Sequence, residues 1–416
     1  MMKKLVFLTI VFVLLLQLNS QSQPNSNDNT PLFRIRTITA GVNLRSVTDL
    51  ATIEAAIAFL ERTKKKYEEA GYEIQTLRIA TQPFGEYVNE GSREEALAEL
   101  KKIDQLVSQK NVLLSIGPII TDDQYDPEFA PWAAQLMKDT KNINFSVTVA
   151  SASRGLHKQT ARTAADAMAA IAKGTPGGEG NFRFTASANC PADIPFFPAA
   201  YHQGEENFGI GLESPRLLQA AFRDADGMES AKIKLKTLLE SKLHTLETLA
   251  IKIAGEENRK YSGIDVSPAP GLDASIGEAI ETLTQVPFGS ASTLAACAAI
   301  TDVLKGLNIK KCGYSGLMLP VLEDPVLATR AAEGKYSVHE LLLYSSVSGT
   351  GLDVVPLPGD SPVSSLYRLI VDMAALSTKL HKPLSARLFP IPGKKAGERV
   401  DFDNPFLTES MVMKIE

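Results

Sequence analysis

Five short segments set an acid, a histidine or an arginine beside Gly and Pro, at the end of or inside an apolar run. That is where α/β enzymes place reacting groups. PFFPAAYHQG (195–204) carries Tyr201 and His202. An imidazole titrates near neutral pH and suits general acid–base work. The plainer reading is a structural imidazole. The other histidines, His157, His244, His339 and His381, fall in helical or helix-edge contexts. YSGIDVSPAPGLDASI (261–276) sets Asp265 within a strand, where a carboxylate is costly unless paired or ligated. Asp265 is therefore a structural ion-pair partner or a site group, and Asp273 reads as an N-cap. GYSGLMLPVLED (313–324) ends in Glu323 and Asp324, whose side chains diverge, and one of them can cap a helix opened by Pro325.

The densest segment is SSVSGTGLDVVPLPGD (345–360). Ser348, Gly349, Thr350 and Gly351 offer hydroxyl and backbone N–H groups that can cradle an anion, and Asp353 and Asp360 add carboxylates. In LSARLFPIPG (384–393), Arg387 lies in apolar company, where a guanidinium tends to meet a carboxylate or an anionic ligand. The roles that follow are His202 as acid/base, and Asp265 and Asp353 as carboxylate bases or metal ligands. Arg387, Ser348, Gly349, Thr350, Gly351 and Asp360 are then ligand-binding groups. A divalent cation on oxygen ligands is compatible with these acids, but no spacing compels one. Neither GK[ST] nor GxSxG occurs, which removes the P-loop and the serine-hydrolase elbow. Cys190, Cys297 and Cys312 are far apart, with no CxxC or Cys/His metal spacing, and read as buried free thiols.

The elements that must position these groups alternate along the chain. Strands are expected at Phe33–Thr39, Leu77–Thr81, Val112–Ile116, Ile143–Val149, Phe182–Ser187, Phe208–Leu212, Tyr261–Val266, Tyr314–Leu319, Leu352–Leu357 and Leu384–Phe389. Helices lie between most of them. One opens at the capping box Ser92-x-x-Glu95, one runs from Met228 to Ala254 with Gly255 as its stop, and the last starts at Ser361 and Pro362. Such alternation predicts an α/β protein with a largely parallel sheet. Ten strands exceed a simple Rossmann unit, no GxGxxG follows the first, and a closed or nearly closed barrel would remove the edges. No linker divides residues 31–416, which read as one large domain.

Of 416 residues, 44% are hydrophobic and 22% charged, with 43 Lys+Arg against 48 Asp+Glu, a net −5. That composition allows a large core and excludes a disordered chain. The acidic balance argues against a nucleic-acid binder. Lys3 and Lys4 precede an apolar run, Leu5–Leu16, followed by polar residues to Ser22. This reads as a secretory signal (residues 1–22) cleaved near Ser22, and it is shorter than the roughly 20 residues of a spanning helix. Residues 23–30 would be a disordered leader, and the mature protein periplasmic or secreted, without stable membrane insertion.

Several motifs together resemble a known family. RTIT followed by Gly41, PFFPAAYH, FGIGLE, GYSGLMLPVLED, SGTGLDVVPLPGD and KPLSARLFPIPGKKAG are similar to DUF711, also called UPF0210, over essentially the whole mature chain. The resemblance implies a ten-stranded α/β barrel of two half-barrels with the pyruvate formate-lyase-like fold of glycyl radical enzymes, and an uncharacterised function. It does not import radical chemistry. Arg399–Glu416 contains no Gly, there is no adjacent Cys pair, and Ser348 stands where family members often carry Cys. No glycyl radical is expected. The leading expectation is an exported enzyme using acid/base or metal-assisted chemistry on a small polar or anionic metabolite. The alternative is a non-catalytic exported small-molecule-binding protein. A homodimer is compatible with a barrel of this size.

Overall fold

Strands covered on both faces read as near-continuous runs of apolar and small residues rather than alternating ones. The strands of this chain have that character, from β1 (Arg34–Val42) through β2 (Ile74–Thr81), β3 (Val112–Pro118) and β4 (Ile143–Ser151). The two-residue β5 (Gly155–Leu156) and β6 (Phe184–Ala188) follow. Then come β7 (Asn207–Glu213), β8 (Lys260–Ala269), β9 (Gly351–Pro358) and β10 (Leu384–Ile391). The computed structural model describes residues 30–88 and 93–415. Residues 1–22, nearly all of the 23–30 leader and Ser92 of the expected capping box lie outside that range.

The main sheet has the order β8-β7-β1-β2-β3-β4-β6-β10-β9, with β5 hydrogen-bonded to β4. Five strands (β1, β2, β3, β4, β6) are mutually parallel. The pairs β7–β8 and β9–β10 are each parallel and run against the five at the β1/β7 and β6/β10 seams. Helices connect the strands and pack against the sheet. They are α1 (Leu50–Glu69), α2 (Arg93–Gln109), α3 (Phe129–Asp139), α4 (Lys158–Gly174), α5 (Pro215–Phe222) and α6 (Met228–Glu257). After these come α7 (Ile276–Thr284), α8 (Thr293–Lys305), α9 (Pro325–Ala332), α10 (Val338–Ser345) and α11 (Val363–Leu380). Helix α6 passes through Gly255 and stops at Asn258, which takes the left-handed conformation (φ 50°) that Asn tolerates at a helix end.

Two expectations need correction. Tyr314–Leu319 is not a strand. Only its flanks form bridges to the sheet, and these are isolated parallel ones, Ile264 with Lys311 and Pro320 with Asp353. The physical reason is that its backbone N–H groups are taken elsewhere. Asp265 accepts from Tyr314 N (2.8 Å) and Ser315 N (2.9 Å), and Gly313 and Ser315 have positive φ (63° and 43°). Asp273 is not an N-cap; it pairs with Arg34 and Arg216, and Ser275 caps α7. Asp324 caps α9 and also accepts from Ile276 N (2.6 Å) and Gly277 N (3.3 Å), so one buried carboxylate closes the starts of two helices.

Residues 193–204 pack on the sheet across β1, β2 and β3. Thr39 Oγ1 donates to the Pro195 carbonyl (2.8 Å), Ser115 Oγ to the Ala200 carbonyl (2.6 Å), and His202 N to the Thr81 carbonyl (2.8 Å). Close approach explains two glycines. A Cβ on Gly41 would lie 2.3 Å from His202 Nδ1, and one on Gly211 would lie 2.8 Å from Phe196 Cζ.

Candidate functional site

Two register shifts aim charged side chains inward. At the β1/β7 seam the register slips between Ile35 and Thr37, leaving Arg36 as the extra residue of a bulge. Between β9 and β10 it slips between Ala386 and Leu388, so that Asp353 and Val354 together oppose Arg387. Val354 has φ 46°, a costly conformation for a β-branched residue, of order 1–3 kcal/mol. A cluster formed with Leu322, Phe389, Ile391, Val400, Leu407 and Val412 holds it there. Bulges of this kind re-aim side chains near functional sites.

Arg36, Asp353 and Arg387 line one cavity of about 90 Å³, together with Arg78 of β2, Asn144 of β4, Thr185 of β6 and Glu323. Phe196, Phe197, Tyr314, Met318 and Phe406 complete much of its wall. Each arginine is stacked on a ring: Arg36 over Phe406 (5.0 Å), Arg78 over Phe197 (5.0 Å) and Arg387 over Phe182 (4.8 Å). Such stacking orients a guanidinium plane.

The charges form a chain with one end free. Arg387 Nε donates to Asp353 Oδ1 (2.8 Å) and Arg387 Nη2 to Glu323 Oε1 (2.5 Å). Glu323 Oε2 lies 3.5 Å from Arg36 Nη2, and Arg36 Nη1 lies 3.5 Å from Glu213 Oε2. Arg78 differs. Its Nε donates to Thr76 Oγ1 (3.1 Å), and among the described residues no carboxylate pairs with it. Burial, with repulsion from Arg36 and Arg387, outweighs the attraction of Glu323 and pushes its pKa down to about 9, so it stays charged at neutral pH. Among the lining residues, three arginines stand against two carboxylates, which leaves the cavity wall one positive charge in excess.

Burial raises the pKa of Asp353; Arg387 opposes the shift and Glu323 adds to it. Burial also works against the Arg387 cation, but Asp353 and Glu323 outweigh it and its pKa is raised. Asp353 Oδ2 has no hydrogen-bond partner among the described residues, since Arg387 uses only Oδ1. A buried carboxyl group with one free oxygen and a fixed cation beside it can exchange a proton with a bound molecule.

The residues singled out by sequence divide between the cavity and the frame. Asp353, Arg387 and Thr350 line the cavity, while His202, Asp265, Ser348, Gly349, Gly351 and Asp360 do not. His202 is fully buried at the end of the 193–204 segment, with Nδ1 3.4 Å from Asp193 Oδ1 and Nε2 3.1 Å from the Gly204 carbonyl. Asp265 accepts four hydrogen bonds, two from Ser267 and one each from Tyr314 N and Ser315 N. Burial raises its pKa against those bonds. It positions Tyr314 on the cavity wall without reaching the cavity itself.

The 348–351 loop is not an open anion cradle. Ser348 N donates to the Tyr344 carbonyl and Gly349 N to the Leu317 carbonyl (both 2.8 Å). The loop instead turns carbonyls toward a cation, because Lys382 Nζ donates to Ser345 O (2.8 Å), Ser346 O (3.2 Å) and Ser348 O. Burial, and Lys305 nearby, lower the Lys382 pKa to about 8. Gly351 (φ 95°) sits where a Cβ would strike the Ser385 carbonyl, and Asp360 is exposed. Among the described residues no group of three or more His, Cys, Asp or Glu is placed to hold a metal ion, and no helix is long and apolar enough to cross a membrane.

Sequence reasoning missed Arg36 and Arg78, and read Glu323 only as a possible helix cap. The signal was present, because RTIT and LRIAT also set an arginine in an apolar strand. The costly-charge argument made for Arg387 applies to both.

A family model described as "Uncharacterised ACR (DUF711)" matches residues 29–404. A UPF0210 protein of Pyrobaculum islandicum is 28% identical over 407 residues, covering 89% of this chain and 88% of the relative. One from Methanocaldococcus jannaschii is 25% identical over 420 residues, covering 92% and 90%. One from a Thermoanaerobacter species is 27% identical over 418 residues, again covering 92% and 90%. With a match over nearly all of its length, the chain belongs to the DUF711 family.

Proposed function

We propose that the chain is a non-radical enzyme acting on a small anionic metabolite bound in this cavity. Arg78 anchors the anion, and Asp353, held by Arg387, gives or takes a proton. The observation that carries the reading is a buried guanidinium that, among the described residues, forms no ion pair, and that opens on the same cavity as a carboxyl oxygen without a hydrogen-bond partner among those residues. An isolated buried charge is expensive and is retained where a ligand neutralises it. Positioned proton transfer contributes about 10²–10⁴ in rate. The same reading takes the sheet as a barrel of two half-barrels, pyruvate formate-lyase-like in outline. Its support is the split into oppositely running strand sets, with residues 311–321 lying between β8 and β9.

Thermal unfolding and calorimetry with a panel of small organic and inorganic anions test the site. Wild type is stabilised saturably by at least one anion, by about 2.7 kcal/mol at 100 times Kd, and Arg78→Gln loses the effect. Asp353→Asn still binds but no longer converts the ligand. If no anion stabilises wild type, the anion site is wrong. If wild type binds an anion and returns it unchanged, the protein is a binding protein instead. The reading also takes residues 1–22 as a cleaved export signal, supported by Lys3, Lys4 and the run Leu5–Leu16. N-terminal sequencing of protein recovered outside the cytoplasm should then begin near Gln23, and an intact Met1 there would refute it.

A further inference from the structure

We infer that the cavity takes a small monocarboxylate with an apolar body, its carboxylate seated end-on against Arg78. This rests on the anion-site reading above and narrows it to one chemical class.

Charge count comes first. On the wall, Glu323 and Asp353 already face Arg36 and Arg387, and Glu213, 3.5 Å from Arg36, is held at 2.7 Å by Arg34 outside the wall, so Arg78 alone has an unused charge. One negative charge cancels the single excess positive charge of the wall. A second negative charge, as on phosphate or a dicarboxylate, would be buried without a partner, which is costly.

Donor geometry agrees. Arg78 Nε is committed to Thr76 Oγ1 at 3.1 Å, and Phe197 fixes the guanidinium plane from one face. The two terminal nitrogens remain, and their parallel N–H groups match the two oxygens of one carboxylate. A phosphate group is usually met by a nest of backbone N–H groups. The nearest such loop, at Ser348 and Gly349, has spent its N–H groups on the Tyr344 and Leu317 carbonyls.

Size and wall chemistry set the remainder. The cavity of about 90 Å³ has room for several waters, and so for a body of a few carbons. Leu113, Phe196, Pro270 and Met318 give that body apolar contact, while polar side chains beside them are already engaged: Asn144 donates to the Asn142 carbonyl, Thr185 to the Ala386 carbonyl and Tyr314 to Ser385.

The test compares full-length wild type with Arg78→Lys and Arg78→Met by thermal unfolding and titration calorimetry. The probes are propionate, isobutyrate and benzoate, with isobutyramide as the neutral isostere and malonate and inorganic phosphate as more highly charged comparators. At least one monocarboxylate should bind saturably, isobutyramide should not, and malonate and phosphate should bind at least tenfold more weakly. Arg78→Lys keeps the charge but loses the fork, so monocarboxylate affinity should fall at least tenfold. Arg78→Met should abolish binding while its circular dichroism and cooperative unfolding stay those of the wild type. Tighter binding of phosphate or malonate overturns the monocarboxylate class but leaves an anion site. Equal affinity in Arg78→Lys overturns the fork. Failure of every anion, monocarboxylates included, overturns both the inference and the reading beneath it.

Discussion

Arg78 and Arg387 are the same side chain on the wall of the same cavity, yet their effects on stability should have opposite signs. Arg387 lies between Asp353 and Glu323. Replacing it with Met leaves two buried carboxylates without their cation, and breaking a buried pair in this way costs about 3–5 kcal/mol. Arg78 has a ring and one hydroxyl for company. Arg78→Met removes an uncompensated buried charge, so the ligand-free variant should be at least as stable as wild type, despite losing about 0.5–2 kcal/mol of cation–π attraction. Urea denaturation of both variants without ligand decides the matter. Comparable losses in the two would mean that Arg78 holds the fold together and is not kept for a ligand. A gain in stability on removing a group is the mark of a functional residue. Sequence made the cost of a strand arginine visible at Arg36, Arg78 and Arg387 alike. It could not say which would find a partner, because Glu323 and Asp353 lie far along the chain from β1 and β2.

At the scale of elements, long periodic segments were legible and irregular ones were not. The helices around Leu235–Ile253 and Leu366–Leu376 have apolar residues at helical spacing, and both formed. Tyr314–Leu319 has the composition of a strand but not the hydrogen bonds of one, because Asp265 takes its N–H groups. A buried acid in the preceding strand was the available sign, and it pointed to a positioning carboxylate as readily as to a catalytic one. The 345–360 segment was ambiguous for a related reason. Ser- and Gly-rich loops can present N–H groups to an anion or carbonyls to a cation, and composition does not distinguish them. Here Lys382 fills the second role. The bulges at Arg36 and at Asp353–Val354 leave no trace in periodicity, because one extra residue is hidden in a strand buried on both faces.

At the scale of the molecule, closure of the sheet on itself turns on one contact. Its two ends, β8 and β9, both touch residues 311–321, and Gly349 N donates to the Leu317 carbonyl at 2.8 Å. Two backbones meet there without side chains between them. A Cβ on Gly316 would lie 2.6 Å from Gly349 Cα, and a Cβ on Gly349 would lie 2.4 Å from Gly316 Cα. Gly316→Ala must therefore push the segment away from the loop that leads into β9, at about 1–3 kcal/mol for overpacking. If this contact closes a barrel, parting it frees both ends of the sheet together. Amide hydrogen exchange should then speed up in β8 and β9, which share no hydrogen bond, while β2 and β3 at the middle of the order keep their protection. Tyr314 and Met318 border the cavity on the same segment, so ligand affinity should fall with the exchange protection. Faster exchange confined to residues beside position 316, with β8 and β9 unchanged, would reduce the segment to a surface cover and leave an open sheet. Uniform loss of protection would mean the substitution merely weakens the whole fold. Only a paired response of two strands at opposite ends of the hydrogen-bond order is what a closed wall produces.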